Sequence, residues 1–217
     1  RKLGYENASM IEKLKTYDAY RIPDLTAGIV YDTRENLMSH ADKPFPEFFF
    51  SRHSMRQFED RPVKIDDIKK AIRIAQKAPT ACNRQASRVY LYTDKSTNDA
   101  LGELIAGNTG FQQEVQNYLV VTADVSAFYD TFERNQVYVE AGLFSMALVE
   151  ALHYYGIGSC ILQNGEYYKK NKKFKAICKN IPENERIILF IAIGNYKENF
   201  SYALSLRKNV DDVFIVK

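Results

Sequence analysis

Two short stretches hold most of the side chains that could do chemistry. The first is Arg52-His53-Ser54-Met55-Arg56. Two guanidiniums, an imidazole and a hydroxyl within five residues make a dense set of hydrogen-bond donors for an anion. An arginine can also grip a phosphate through two parallel bonds. The second stretch is Ala78-Pro79-Thr80-Ala81-Cys82-Asn83-Arg84-Gln85, a Pro-bounded loop carrying one hydroxyl, two amides and a guanidinium. Amides both donate and accept, which suits the mixed edge of a heteroaromatic ring. Taken singly, each stretch also reads as ordinary polar surface.

Other chemistries have little support. His40, His53 and His153 are the only histidines and no HExxH occurs, so no catalytic metal is expected. Cys82, Cys160 and Cys178 are odd in number, widely spaced and without a CxxC pair. That argues against a disulfide framework and a zinc site, and for buried, reduced thiols in a cytoplasmic protein. Neither GxGxxG nor a P-loop pattern is present, so a dinucleotide-binding Rossmann unit and a P-loop lack their main warrant. A formal charge of +3, from 30 Lys and Arg against 27 Asp and Glu, does not suggest a nucleic-acid binder. No run of about 18 apolar residues occurs, so no membrane-spanning helix is expected. The chain opens on Arg1 rather than Met, which is compatible with a missing N-terminus or a removed leader.

Elements must position these stretches. Ile65, Ile68, Ile72 and Ala75, with Asp66 and Asp67 in the first turn and Pro79 beyond, predict an amphipathic helix between them. Strands are expected at 88–93, 118–123, 159–162 and 186–193, with a helix at 100–105. Val137 to Tyr155 is apolar nearly all round, its only charges being Glu140 and Glu150. Such a helix is expected to be buried on all sides, in a core, an interface or both. A lysine-rich helix over 166–179 reads as a solvated face. The apolar tail 211–217 predicts a closing strand. Residues 1–44 are irregular, with a polar helix over 8–20. They read as an extension packed on the 45–217 domain or on a second subunit, and the Phe45, Phe48, Phe49, Phe50 cluster must dock on something. Elements mix without regular βαβ alternation, which indicates an α+β fold.

The order RHSMRQF, a helix, APTACNRQ, a buried helix ending in GIGSCIL, then IPENERIILFIAIGNY and a closing SLRK resembles the nitroreductase family of FMN-dependent oxidoreductases. The resemblance covers roughly residues 45–217. It implies an α+β homodimer, with a mixed sheet flanked by helices, a long buried central helix, and FMN at the dimer interface. Arg52, His53, Ser54 and Arg56 would hold the FMN phosphate and the polar edge of the flavin, and Arg207 would add a second phosphate clamp. Pro79, Thr80, Ala81, Asn83 and Gln85 would line the isoalloxazine, a loop the family usually takes from the partner subunit. Gln163, Asn164 and Gly165 would sit near flavin N5, and Gln112 would replace an amide found in some members. Thr80 stands in place of the commoner Ser, Ala86 in place of Pro, and Ser205 where some relatives have Lys. A lysine that some members set beside the flavin is absent, so Arg84 or Arg56 would supply that cation, or the flavin potential would be lower.

The implied activity is ping-pong transfer of hydride from NADH or NADPH, through flavin N5, to a small electron-poor acceptor such as a nitroaromatic or quinone. No acid–base triad is visible, so no catalytic residue is assigned. Alternatives are a specialised member acting in enone reduction, dehalogenation or flavin modification, or a non-catalytic flavin- or protein-binding module.

Overall fold

The computed structural model describes residues 29–42, 44–165 and 168–217; the polar helix expected over 8–20 lies outside them. The described residues fall into two units, 31–202 and the two ends, 29–30 with 203–217.

Strand β1 (Ile29–Thr33) pairs with β6 (Asn199–Ala203) in a sheet of two. Strands β2 (Ser87–Tyr92), β3 (Asn117–Asp124), β4 (Ile157–Gln163) and β5 (Glu185–Asn195) form a second sheet in the order β2-β3-β5-β4. Its neighbouring strands run antiparallel, and a parallel bridge from Ser54 to Ser159 makes the pattern mixed. Side chains alternate in direction along a strand. Tyr118 and Val120 of β3, with Phe190 and Ala192 of β5, therefore enter one core. Leu119 and Val121, with Ile191 and Ile193, enter another on the opposite face. Burial on both faces is why these strands read as unbroken apolar runs.

The helices are α1 (Arg34–Met38), α2 (Phe45–Ser51), α3 (Ile65–Ala75), α4 (Lys95–Leu104), α5 (Gln136–Tyr154) and α6 (Tyr168–Ile177). Leu101 of α4 and Phe174 of α6 pack into the first core. Ile68, Ala71 and Ala75 of α3 pack with Phe144, Leu148 and Leu152 of α5 in the second. Helix α4 begins earlier than expected, because the Asp94 carboxylate accepts from Thr97 N at 2.8 Å and caps it.

Within one chain, helix α5 is covered on one side: Tyr138, Val139, Leu143 and Met146 are exposed, with Gly142 among them, and this is the face that an interface would have to cover. Two expectations need correcting. The closing strand does not form. Val210–Asp212 is a single 3-10 turn, and Val213 to Val216 are exposed and lie in no strand. Of the phenylalanine cluster, Phe48 docks, stacked on His153 at 5.0 Å, whereas Phe45 and Phe50 stay exposed. Among the described residues no helix is long and apolar enough to cross a membrane.

Candidate functional site

Residues 52–58 leave α2 in extended form and lie against β4 and the end of β5. Met55 N donates to Ser159 O at 2.9 Å, and Glu59 N donates to Asn195 O at 3.0 Å. Two glycines allow the approach. A Cβ on Gly158 would stand 3.2 Å from Met55 Cβ, and one on Gly194 would stand 2.6 Å from three atoms of Phe58. Met55 and Phe58 fill the core, so Ser54 and Arg56 point outward. His53 stacks on the Tyr202 ring at 3.6 Å and 12°. Arg56 donates to Ser54 O at 3.2 Å and lies 5.9 Å from the centre of the Phe111 ring.

Arg52 is anchored to the central helix. Its Nε donates to Glu150 Oε1 at 2.8 Å in a largely covered pair, which leaves the outer guanidinium nitrogens to meet an anion. Burial pushes the Glu150 carboxyl up, and Arg52 opposes that. Behind the pair, the Ser51 hydroxyl donates to Phe48 O at 2.7 Å and so accepts from His153 Nε2 at 2.9 Å. In the neutral ring, His153 Nδ1 then accepts from the Tyr196 hydroxyl at 2.9 Å. The chain of bonds ties α2 and α5 to the residue that follows β5, just beside Arg52.

The second stretch lies at the other end of α5. Thr80 O accepts from Asn83 N at 3.2 Å, and the Thr80 hydroxyl accepts from Gln85 N at 3.3 Å, closing a tight loop. Cys82, Asn83 and Gln85 adopt φ of 51°, 56° and 52°, a left-handed region that costs a non-glycine residue about 1–2 kcal/mol. Ala81 N donates to the buried Glu140 at 2.8 Å. Arg84 donates to both oxygens of Glu133, to Ala127 O and to Ala81 O. Hydrogen bonding from Arg84 holds the Glu133 carboxyl below its ordinary range. Arg84 is therefore committed to Glu133. Cys82 is exposed, against the expectation of three buried thiols, because its left-handed turn points it outward. Cys160 and Cys178 are buried, and burial pushes both thiols up.

The remaining expected residues are spread. Gln163 ends β4 and is exposed. Asn164 Nδ2 donates to Ile187 O at 2.9 Å, while its Oδ1 is buried without a partner. Gly165 has open space where a Cβ would point. Gln112 packs over Gly102, with Cγ 3.0 Å from where a Cβ there would be. Pro79 is exposed. Arg207, in the smaller unit, is exposed and donates to Ser205 O at 2.6 Å. Cavities of about 860 and 430 Å³ are lined by other residues and contain none of the expected ones.

Strand β4 brings the first stretch and the 163–165 turn together, with roughly 13 Å of strand from Ser159 to Gln163. The 79–85 loop is held apart: Ala81 binds Glu140 and Arg52 binds Glu150, about 15 Å along α5. Glu133, Glu140 and Glu150 were not foreseen as site residues. For Glu140 and Glu150 the signal was there, as two acids in an otherwise apolar helix.

Residues 50–195, about two thirds of the chain, match the family model "Nitroreductase family". The chain belongs to the nitroreductase family. A nitroreductase family protein from Streptococcus pneumoniae TIGR4 superposes with a TM-score of 0.70 at 23% identity, over 80% of this chain and 100% of that one. A Desulfovibrio desulfuricans protein solved in complex with FMN gives 0.67 at 17%, over 81% and 98%. An FMN-dependent nitroreductase from Clostridium difficile R20291 gives 0.60 at 20%, over 77% and 92%. At these identities the likeness concerns the fold. No curated protein matches the sequence significantly.

Proposed function

We propose that this nitroreductase-family chain is an FMN-dependent oxidoreductase working as a homodimer, with each site built from both subunits. The observation that carries this reading is the separation along α5. The Arg52 stretch and the Thr80 loop sit at opposite ends of one helix, and the exposed stripe Val139, Gly142, Leu143, Met146 runs between them. A second copy packed on that stripe would cover its apolar surface. Packed antiparallel, it would bring its own Thr80 loop to the first copy's Arg52 stretch.

The donor set suits FMN. Outward Ser54 and Arg56, with the outer nitrogens of Arg52, would hold the phosphate and the polar ring edge, and Arg207 would add a charge. Asn164 Oδ1, a buried acceptor lacking a donor, and the open space at Gly165 support a ring edge at the end of β4. Thr80, Ala81, Asn83 and Gln85 of the partner subunit would line the ring with hydroxyl and amide groups, with Pro79 at their flank. His53, locked on Tyr202, would act through its backbone and as a wall. Gln112 would do so from beside Phe111.

Bound FMN supplies hydride acceptance from NADH or NADPH and hydride donation to an electron-poor small molecule. The chain's task is to hold, orient and partly cover the ring, with Arg56 as the nearby positive charge. Free Cys160 and Cys178 support a reducing, cytoplasmic setting. Of residues 1–44, the described Leu37 enters the first core, which supports packing of that part on the domain. The test is purification followed by anaerobic titration: a yellow dimer bleached by NADH or NADPH supports the reading, and a colourless protein that takes up no FMN opposes it.

A further inference from the structure

The loop that would face the flavin has an unusual support. Cys82 and Gln85 hold left-handed backbone that neither residue type favours, and such a backbone persists where its surroundings over-determine it. Two carboxylates supply that constraint. Glu133 holds Arg84, whose Nε returns to Ala81 O at 3.1 Å. Glu140 is 2% exposed, and its Oε1 accepts from Ala81 N at 2.8 Å and from Gln136 Nε2 at 3.1 Å. Ala81 is thereby gripped at both its N–H and its C=O. The second oxygen of Glu140 is buried without a partner. A carboxylate so placed stabilises the fold poorly compared with an apolar side chain, so its value lies in the one geometry it enforces.

We propose that Glu140 is a positioning residue for the cofactor: it holds Ala81 so that the Thr80–Gln85 loop is in its flavin-receiving shape before FMN arrives. This rests on the reading that FMN binds here.

The test is FMN titration by flavin fluorescence, with thermal melting and visible circular dichroism of the bound flavin, on wild type, Glu140→Ala, Glu140→Gln and Glu140→Asp. Glu140→Ala should raise the FMN Kd about tenfold, as expected for loss of one charge-assisted hydrogen bond, and alter the flavin dichroism. Glu140→Gln keeps an oxygen acceptor for Ala81 N and should bind within about threefold of wild type. An alanine variant that binds as tightly as wild type, or a glutamine variant as weak as alanine, overturns the proposal. If Glu140→Ala does not fold, Glu140→Asp, which keeps the charge but draws the carboxylate back from Ala81 N, decides: weaker binding at unchanged melting temperature supports the proposal, and unchanged affinity overturns it. Wild type that binds no FMN sinks the cofactor reading and this proposal together. Wild type that binds, with Glu140→Ala folded and unaffected, sinks this proposal alone.

Discussion

The Phe58 side chain occupies the space that a Cβ on Gly194 would need, with three of its atoms 2.6 Å from that position. This contact seats the Arg52–Phe58 segment on the sheet. Gly194→Ala should therefore displace Phe58, lower stability by about 1–3 kcal/mol and weaken FMN binding. Thermal denaturation and an FMN titration on the same variant check both effects.

Arg52 has two tasks, so its removal should be felt twice. Arg52→Ala leaves the mostly covered Glu150 without its guanidinium and should destabilise the fold by about 1–3 kcal/mol, less than for a fully buried pair. Combined with Arg207→Ala, it should also release FMN. Unchanged flavin affinity in the double variant would contradict the phosphate assignment.

Glu150 should leave a mark on the pH profile. Burial raises its carboxyl above the ordinary 4.5 when folded, so the folded state binds this proton more readily than the unfolded state. Its contribution is fully present below about 4.5 and is lost as pH rises through the folded value. Glu150→Gln should flatten that decline in denaturant midpoint against pH. A profile identical to wild type in that window would count against the assignment.

Much of this was legible in the sequence, for reasons that can be named. The Ile65–Ala75 helix and the apolar strands follow from periodicity, and the two polar stretches stood out by residue type. The supports of those stretches were not legible. Nothing local links Ala81 to Glu140 or Arg52 to Glu150, because such contacts depend on how α5 packs. The exposed stripe on α5 was hidden for a related reason: a helix apolar on all sides does not say which side faces its own core. The tail misled because apolar β-branched residues carry strand propensity without fixing whether they pair.

The stripe on α5 yields a prediction about assembly. Leu143→Glu puts a charge in the middle of the proposed interface while pointing away from the chain's own core. Light scattering should find a monomer with little loss of secondary structure and, because the proposed site needs both subunits, little FMN bound. A Leu143→Glu dimer with full flavin content would count against a shared site.

Cys82 offers a chemical reporter. It is exposed, whereas Cys160 and Cys178 are buried with raised thiols. A small alkylating agent should label Cys82 first in FMN-free protein and more slowly once FMN is added. Equal rates with and without FMN would place the loop away from the cofactor.

The central claim is most directly tested by the flavin itself. Protein purified with FMN should carry about one flavin per chain, the stoichiometry of a homodimer with two shared sites. Under anaerobic conditions NADH or NADPH should bleach its visible absorbance, and an electron-poor acceptor should restore it. Protein that stays colourless after incubation with FMN, or that binds FMN which neither nucleotide bleaches, would contradict the account.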